Sequence, residues 1–145
     1  MPGMVDVSTK EPTLREAVAR AVVKLPGELS RRLRDLPKGD AVEVAKVAGI
    51  MAAKRTPELV PLCHPIELGK VDVQIRVEGE RTEVVARVRA FSRTGVEMEA
   101  MVAASVAALT IYDMVKGTCR DAEIAEVRLV EKRGGKSGTW RRDER

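Results

Sequence analysis

Residues 14 to 25, LREAVARAVVKL, carry an apolar pattern that fits two structures. Alanine, arginine and glutamate favour a helix, but apolar residues also recur at every second position, as on one face of a strand. These alternating residues are Ala17, Ala19, Ala21, Val23 and Leu25. We predict a strand, because it completes a four-stranded antiparallel layer with the three strands predicted below. A helix would leave an α+β protein whose topology the pattern does not define.

Two helices are predicted between this strand and the middle of the chain. The first, PGELSRRLRDL, is short and places Leu29, Leu33 and Leu36 on one side. The second begins at Asp40, which matches a capping box with Glu43, and continues through AVEVAKVAGIMAAKR to the following Thr-Pro.

The second half of the chain combines strands with one long helix. The segments KVDVQIRVEG and RTEVVARVRAFSR predict two strands across a tight turn at Gly79, and AEVRLVEK predicts a last strand. A helix is predicted from about Thr94 to Lys116. The resulting order, β-α-β-β-α-β, predicts an α+β fold: a ferredoxin-like sandwich with a four-stranded antiparallel sheet and helices packed on one face.

The long helix is apolar around most of its circumference. Such a helix is usually buried, so we expect it to pack against both the sheet and another subunit. Its polar exceptions lie at the two ends, with Glu97 and Glu99 at the start and Asp113 and Lys116 at the finish.

The polar ends of this helix have ordinary structural explanations. Thr94 and Glu97 match a capping box, and Asp113 and Lys116 have the i,i+3 spacing of a surface ion pair. Asp113 is nevertheless unusual, because an acid in the last turn opposes the helix dipole. A carboxylate and an ammonium held together could instead share proton transfers, each shifting the pKa of the other. The sequence leaves both interpretations open.

Length and composition indicate a soluble, folded protein. The chain has 145 residues, 44% of them hydrophobic and 33% charged, which predicts one domain spanning 1–145. No run reaches the roughly 20 apolar residues of a membrane span, and the N-terminus has no apolar signal core. We therefore expect a cytoplasmic protein with no membrane partner. Residues 1–12 and 134–145 are expected to be flexible without ligand.

The charge pattern favours a small anionic ligand over a nucleic acid. The formal net charge of +4 is also compatible with an ordinary solvated surface. Phe91, Tyr112 and Trp140 are scattered singly, whereas proteins that bind single strands usually stack bases on several aromatic side chains. A nucleotide triphosphate fits the basic excess better, and we expect no nucleic-acid partner.

Four lysines lie at turns or at the ends of predicted elements, namely Lys38, Lys54, Lys132 and Lys136. Around Lys136, GGKSG lacks the spacing G-x-x-x-x-G-K-[ST] of a phosphate-binding loop, so we reject that motif. Glycines beside a lysine can still bind an anion through backbone N–H groups and charge. A frayed basic tail is the alternative.

The segment LVPLCHPI places Cys63 beside His64, which invites a metal site or a thiol nucleophile with its base. Neighbouring side chains in an extended segment point in different directions, which disfavours a Cys-His dyad. Metal binding would need Glu97, Glu99 or Cys119 to arrive from elsewhere. We interpret the pair as a structural cysteine beside a ligand-binding or hydrogen-bonded histidine.

Five segments together resemble one enzyme family. They are MVDVS, KGD, AGIMAAKRTPELVPLCHPI, TGVEMEAMVAASVAALTIYDMVK and VRLVEKRGGKSG, in this order along nearly the whole chain. The pattern resembles the cyclic pyranopterin monophosphate synthases, the C proteins of molybdenum-cofactor biosynthesis. The resemblance implies a lyase that follows a radical-SAM enzyme acting on GTP. The lyase converts 3′,8-cyclo-7,8-dihydro-GTP to cyclic pyranopterin monophosphate with release of diphosphate. It also implies a ferredoxin-like subunit in a homohexamer of three dimers.

The resemblance implies roles for individual residues. The catalytic acid/base pair falls on Asp113 and Lys116. Substrate-binding positions fall on Leu62, Cys63, His64, Glu97, Met98 and Glu99, and functional lysines on Lys38, Lys54, Lys132 and Lys136. Crowding would lower the pKa values of these lysines, so that one could act as a base. No redox cofactor or structural metal is expected, although a magnesium ion can accompany the triphosphate.

The length of the last helix adds a geometric expectation. Residues 97 and 113 lie about 24 Å apart at roughly 1.5 Å per residue, too far for one compact nucleotide to contact both comfortably. We therefore predict an active site shared between subunits. Two other classes remain open: a non-catalytic nucleotide-binding or regulatory module, and a metal-dependent hydrolase using His64, Cys63 and the two glutamates.

Overall fold

An open antiparallel sheet forms one layer of the protein, with helices packed against it. The computed structural model describes residues 1–144. The strands are β1 (Thr13–Lys24), β2 (Lys70–Glu78), β3 (Arg81–Ser92), β4 (Glu123–Arg133) and β5 (Trp140–Arg141). Their order in the sheet is β2-β3-β1-β4-β5, and every neighbouring pair is antiparallel. The fold is therefore α+β, as predicted.

Strand β1 lies at the centre of the sheet, which confirms the strand prediction for residues 14 to 25. It pairs with β3 along its whole length and with β4 on its other edge. The side chains of Ala17, Ala19, Ala21 and Val23 are buried in the main core cluster. Tertiary burial of one strand face has overridden the helical propensity of alanine.

The prediction of four strands is wrong by one, because the C-terminal tail adds β5. Trp140 and Arg141 pair with Lys132 and Glu131 of β4, and the Arg141 guanidinium lies 2.7 Å from the Glu131 carboxylate. Two residues are too few to show an alternating pattern, so no periodicity predicts this strand. Flexibility of the predicted tail stays a prediction, and its last residue, Arg145, lies outside the described residues.

Within residues 1–144, four helices accompany the sheet, and the two long ones cover its apolar face. They are α1 (Gly27–Ser30), α2 (Ala41–Lys54), α3 (Thr56–Leu59) and α4 (Glu97–Val115). Helix α4 packs on β1, β3 and β4, and α2 packs on α4 and β2. Helix α1 is shorter than predicted, but the three leucines expected on one side of PGELSRRLRDL are all buried.

Helix α4 is the core helix of this arrangement. Its inner side is built mainly from alanines, which are buried completely: Ala100, Ala103, Ala104, Ala107 and Ala108. These short side chains allow a close approach to α2, where a Cβ on Gly49 would lie 3.0 Å from the carbonyl oxygen of Ala103. By length and composition α4 could also cross a membrane, but half of its most apolar stretch is buried inside the fold.

The beginnings of α2 and α4 differ in their capping. Asp40 caps α2 as predicted, since its Oδ1 accepts the N–H groups of Val42 at 3.0 Å and Glu43 at 3.1 Å. The capping box predicted for Thr94 and Glu97 is wrong. Helix α4 begins only at Glu97, and its N-cap residue makes no side-chain hydrogen bond to the helix.

The cap of α2 can be tested by substitution. Asp40→Ala should lower the free energy of unfolding by about 1 kcal/mol, because two N–H groups of the first turn lose their acceptor. Asp40→Asn keeps an accepting oxygen and should lose less than half as much. Urea denaturation of the three proteins measures the difference. Equal losses in both variants would instead assign the effect to the ion pair between Asp40 and Arg34, whose charged atoms lie 3.0 Å apart.

Candidate functional site

The C-terminal end of α4 holds a cluster of one carboxylate and two ammonium groups. The Nζ atom of Lys116 lies 2.8 Å from Oδ1 of Asp113, and Nζ of Lys38 lies 3.1 Å from Oδ2. Lys38 also donates a hydrogen bond to the main-chain carbonyl of Asp113 at 3.2 Å. We call Lys38, Asp113 and Lys116 the acid–lysine cluster. All three side chains are about half exposed.

Lys38 reaches this cluster from the turn that precedes α2. The turn is closed by hydrogen bonds between the main chains of Leu36 and Gly39. Gly39 has a φ of 119°, a conformation that favours glycine over residues with a side chain. The KGD segment therefore bends sharply and directs its lysine towards the end of α4. The resemblance included Lys38 among the functional lysines but did not imply its direct contact with Asp113.

The contacts within the acid–lysine cluster favour the ionised forms of Asp113 and Lys116. Hydrogen bonds from Lys116 and Lys38 lower the pKa of Asp113 below its usual value. The hydrogen bond to Asp113 raises the pKa of Lys116. A carboxylate is the nearest charged neighbour of Lys116, so this contact favours the ammonium form of the lysine. At neutral pH the arrangement supplies a proton acceptor at Asp113 and a proton donor at Lys116.

The opposite end of α4 borders a cavity of about 360 Å³, here called the His64 cavity. Its walls come from the N-terminal segment, from the chain after α3 and from the start of α4. The lining residues are Val5, Val7, Lys10, Val60, Leu62, Cys63, His64, Thr94, Gly95, Glu97 and Met98. Five of the residues predicted to contact substrate thus share one concave surface with apolar walls and several polar groups.

The cysteine of this cavity is paired with a buried glutamate. The thiol of Cys63 lies 3.7 Å from Oε2 of Glu99 and 3.8 Å from the carbonyl oxygen of His64. Burial and the neighbouring Glu99 carboxylate raise the pKa of the Cys63 thiol. The contacts therefore hold the cysteine as a neutral donor. They involve the main chain of His64 and leave its imidazole out, unlike a thiol–imidazole dyad.

Glu99 is the least expected feature of this end. Its side chain is 1% exposed, and Oε1 has no hydrogen-bond partner among the described residues. Burial raises the pKa of the carboxyl group. The sequence indicated only that Glu99 is a polar exception at the start of the helix. Helical spacing instead indicates burial, because Glu99 precedes the buried Ala103 by four residues and the buried Ala107 by eight, and all three lie on one side of the helix.

The other three lysines predicted to be functional lie at separate places on the surface. Lys132 extends from β4 to the start of α4, with its Nζ 3.9 Å from Oε2 of Glu97. Lys54 ends α2, and Lys136 lies in the loop between β4 and β5; both are exposed. Lys38 thus contacts the C-terminal end of α4, and Lys132 contacts its N-terminal end. Lys54 and Lys136 belong to neither of these two sets of contacts.

Sequence reasoning missed Arg15, which joins the two loops beside the start of α4. Its guanidinium is buried and donates to the carbonyl oxygens of Ser92 at 3.0 Å and Arg93 at 3.3 Å. It also packs against Gly134 and Gly135. A Cβ added at Gly135 would lie less than 3 Å from the Arg15 guanidinium, and one added at Gly134 would lie less than 3 Å from the carbonyl oxygen of Leu14. Arg15 thereby holds the turn before α4 against the glycine loop.

One rigid helix separates the two ends of the candidate site. Sixteen residue steps from 97 to 113 correspond to about 24 Å. The acid–lysine cluster and the His64 cavity are therefore distinct half-sites within a single chain. Within residues 1–144, no group of three or more His, Cys, Asp or Glu side chains could hold a metal ion.

The buried carboxyl group of Glu99 predicts a pH-dependent stability. Burial raises its pKa above the usual value for a glutamate, so at intermediate pH the folded state binds more protons than the unfolded state. Stability contributed by Glu99 therefore falls as pH rises. Glu99→Gln, which cannot ionise, should gain stability relative to the native protein as pH increases from 4.5 to 8.

Urea unfolding at several pH values measures this difference. Glu97→Gln is a matched control, because it removes a more exposed carboxylate from the same end of α4. A relative stability of Glu99→Gln that stays constant or falls with pH would contradict the prediction. Such a result would mean that the folded protein stabilises the Glu99 carboxylate.

Comparisons with known proteins match nearly the whole chain. The model of the MoaC family matches residues 4–135. Relatives named cyclic pyranopterin monophosphate synthase include one from Thermomicrobium roseum, 54% identical over 97% of this chain and 87% of its own length. Another, from Geotalea uraniireducens, is 56% identical over 97% of this chain and 91% of its own length. A third, from a Roseiflexus species, is 52% identical with the same coverage of both chains. The chain therefore belongs to the MoaC family.

Proposed function

We propose that this protein is a cyclic pyranopterin monophosphate synthase of molybdenum-cofactor biosynthesis. It converts 3′,8-cyclo-7,8-dihydro-GTP to cyclic pyranopterin monophosphate and releases diphosphate. The observation that carries the proposal is Asp113 held between Lys38 and Lys116 in a chain that belongs to the MoaC family. The relatives carry this enzyme name over nearly the full length of the chain.

Proton transfer is assigned to the acid–lysine cluster. Rearranging a purine-derived ring system into a pterin requires protons to leave some atoms and reach others. Asp113, whose pKa is lowered, serves as an acceptor, and Lys116, whose pKa is raised, serves as a donor. Their direct contact at 2.8 Å allows a proton taken up by one group to be balanced by the other.

Anion stabilisation is assigned to the lysines. Formation of the cyclic phosphate joins a substrate oxygen to phosphorus and breaks the bond to the leaving diphosphate. Negative charge increases on the leaving oxygen, where fixed ammonium groups stabilise it. Lys38 supplies one such group beside Asp113, and Lys132 supplies another beside Glu97. Lys54 and Lys136 are assigned to the outer phosphates, because both are exposed cations.

Recognition of the ring system is assigned to the His64 cavity. Main-chain groups of Leu62, Cys63 and His64 can bind the polar edge of a guanine-derived ring, and Glu97 can accept its N–H groups. Met98 supplies an apolar surface at the cavity wall. Glu99 lies behind this wall, where Oε1 is buried without a partner among residues 1–144 and can accept or donate a further hydrogen bond.

The distance between the half-sites supports an active site shared between subunits. One subunit would supply Asp113 and Lys116, and a neighbour would supply the His64 cavity. We assign the protein to a homohexamer built as three dimers, with a ferredoxin-like subunit. The ferredoxin-like assignment is supported by the β-α-β-β-α-β order that remains when the short helices and β5 are left out.

The proposed reaction needs no redox cofactor or structural metal. A magnesium ion is assigned only to the triphosphate of the substrate. The substrate comes from a radical-SAM enzyme acting on GTP, so the two enzymes follow one another in the cytoplasm. Neither a nucleic acid nor a membrane takes part.

The decisive experiment is incubation with enzymatically prepared 3′,8-cyclo-7,8-dihydro-GTP. The native protein should release diphosphate together with a product that becomes a fluorescent pterin on oxidation. Asp113→Asn should lower the turnover about 10²–10⁴-fold, the usual contribution of a general acid or base. Asp35→Asn is the control, because it makes the same charge change at an exposed position before Lys38.

Each competing class predicts a different result in this assay. A non-catalytic nucleotide-binding module would bind the substrate and form no pterin, and its binding would survive Asp113→Asn. A metal-dependent hydrolase would lose activity with a chelator and recover it with added metal ion. Absence of both diphosphate and pterin with the native protein would overturn the proposed function.

Sharing of the site predicts recovery of activity in mixed oligomers. Asp113→Asn and Glu97→Gln chains, each of low activity alone, should form dimers in which one of the two sites is intact. Random mixing should restore about a quarter of the native activity, because half of the dimers are mixed and half of their sites are native. Coexpression of the two tagged chains provides the sample.

The matched control mixes Asp113→Asn with Lys116→Met. Both residues belong to the same half-site, so a mixed dimer contains no intact site and activity should stay low. Equal recovery in both mixtures, or none in either, would contradict a site divided between the two ends of α4.

A further inference from the structure

The loop between β4 and β5 is held at both of its ends. We call residues 134–139 the glycine loop, and Lys136 lies at its exposed tip. The start of the loop lies against β1, because Gly134 has no room for a Cβ beside the carbonyl oxygen of Leu14. Gly134 and Gly138 adopt φ values of 95° and 65°, which favour glycine. Glycines on both sides of Lys136 thus let the chain bend tightly around the lysine.

An ion pair between Glu131 and Arg141 holds the other end of the loop. Nη2 of Arg141 lies 2.7 Å from Oε1 of Glu131, and the two residues are paired directly between β5 and β4. The Glu131 side chain is only 11% exposed, so water screens this pair less than it screens a pair on the surface. The hydrogen bond from Arg141 lowers the pKa of Glu131, which keeps the carboxylate ionised at neutral pH.

Two guanidinium groups share the Glu131 carboxylate, but only one of them crosses the loop. Nε of Arg133 lies 3.0 Å from the same Oε1 atom, and this contact forms within β4. Arg141 follows the loop, so its contact joins two segments ten residues apart. Strand β5 has only two residues, and so short a strand is weak by itself. Arg142 extends the attachment through its N–H group, which donates to the carbonyl oxygen of Val130 at 2.8 Å.

We propose that the ion pair between Glu131 and Arg141 is a latch that closes the glycine loop and positions Lys136 for an anionic ligand. Glu131 and Arg141 are then positioning residues. The identity of the ligand rests on the proposed function, in which Lys136 contacts the outer phosphates of the substrate. Closure of the loop does not depend on that function.

The latch lies on the sheet face that points away from the candidate site. Glu131 and Lys132 are neighbours in a strand, so their side chains project from opposite faces of the sheet. Lys132 lies on the α4 face, with its Nζ 3.9 Å from Glu97 in the wall of the His64 cavity. A ligand beside Lys132 therefore does not contact the latch, which acts on it only through the loop. Lys136 follows Lys132 by four residues, so the path of the loop determines whether both ammonium groups reach one polyphosphate.

Hydrogen exchange measured by mass spectrometry tests the latch without any ligand. Arg141→Met should speed the exchange of amides in residues 134–142 about three- to tenfold, as expected for the loss of one partly exposed charged hydrogen bond. Amides of β2 should be unaffected, because the change is local. Arg133→Met is the matched control, since it removes a guanidinium from the same oxygen atom and leaves the contact across the loop in place. Equal increases in both variants, or none in Arg141→Met, would overturn the proposal.

Steady-state kinetics with 3′,8-cyclo-7,8-dihydro-GTP tests the positioning of Lys136. Arg141→Met should raise KM about tenfold and change kcat less than about twofold, because a contact to the outer phosphates is lost equally from the substrate and the transition state. Arg141→Lys keeps a cation opposite Glu131 and should restore most of the native KM. Arg133→Met should keep the native values of both constants.

A double-mutant cycle distinguishes positioning from a general loss of stability. In a Lys136→Met chain, adding Arg141→Met should not raise KM further, because no lysine remains to be positioned. Additive effects of the two changes would overturn the proposal.

The latch can fail separately from the proposed function. A native protein that forms no pterin would reject the proposed function, and the exchange measurement would still decide whether the loop is closed by Arg141. The same cycle would then use the binding of inorganic diphosphate, measured by calorimetry, in place of KM. Failure of the native protein to bind diphosphate, or equal binding by native and Arg141→Met chains, would overturn the positioning of Lys136.

Discussion

The close packing of α4 against α2 and the sheet is the constraint on which the candidate site depends. Completely buried alanines line the inner side of α4, and Gly49 of α2 leaves no room for a further carbon beside Ala103. Protein interiors of this density do not let a helix shift its axis without losing contacts. The 19 residues of α4 therefore act as a rigid spacer that fixes the distance and direction between Asp113 and the His64 cavity.

Much of this fold could be predicted because its long elements have clear periods. The alternation in residues 14 to 25 identified β1 even though alanine favours a helix, since one face of that strand is buried completely. Asp40 was recognisable as a cap from its side chain and the apolar run that follows. Strand β5 could not be predicted, because two residues carry no period and depend on pairing with β4.

The sequence pointed to residues of the candidate site more clearly than to the contacts between them. The spacing of Asp113 and Lys116 indicated their ion pair directly. The contact from Lys38 depends on a turn whose direction is set by Gly39, and local spacing does not encode that direction. The burial of Glu99 was visible in its spacing from Ala103 and Ala107, but acids in a first turn are usually attributed to capping and the helix dipole.

The chemistry of the two half-sites is complementary. The acid–lysine cluster has the charged groups for proton transfer, but it is half exposed, and water weakens electrostatic interactions there. The His64 cavity has apolar walls with the buried carboxyl group of Glu99 behind them, but its own carboxylate, Glu97, lies 3.9 Å from the Lys132 ammonium group. Fixed charges act most strongly on a developing charge when a low-dielectric surface surrounds them. A partner's cavity wall placed over Asp113 would supply that surface, so assembly would activate the cluster as well as complete the binding site.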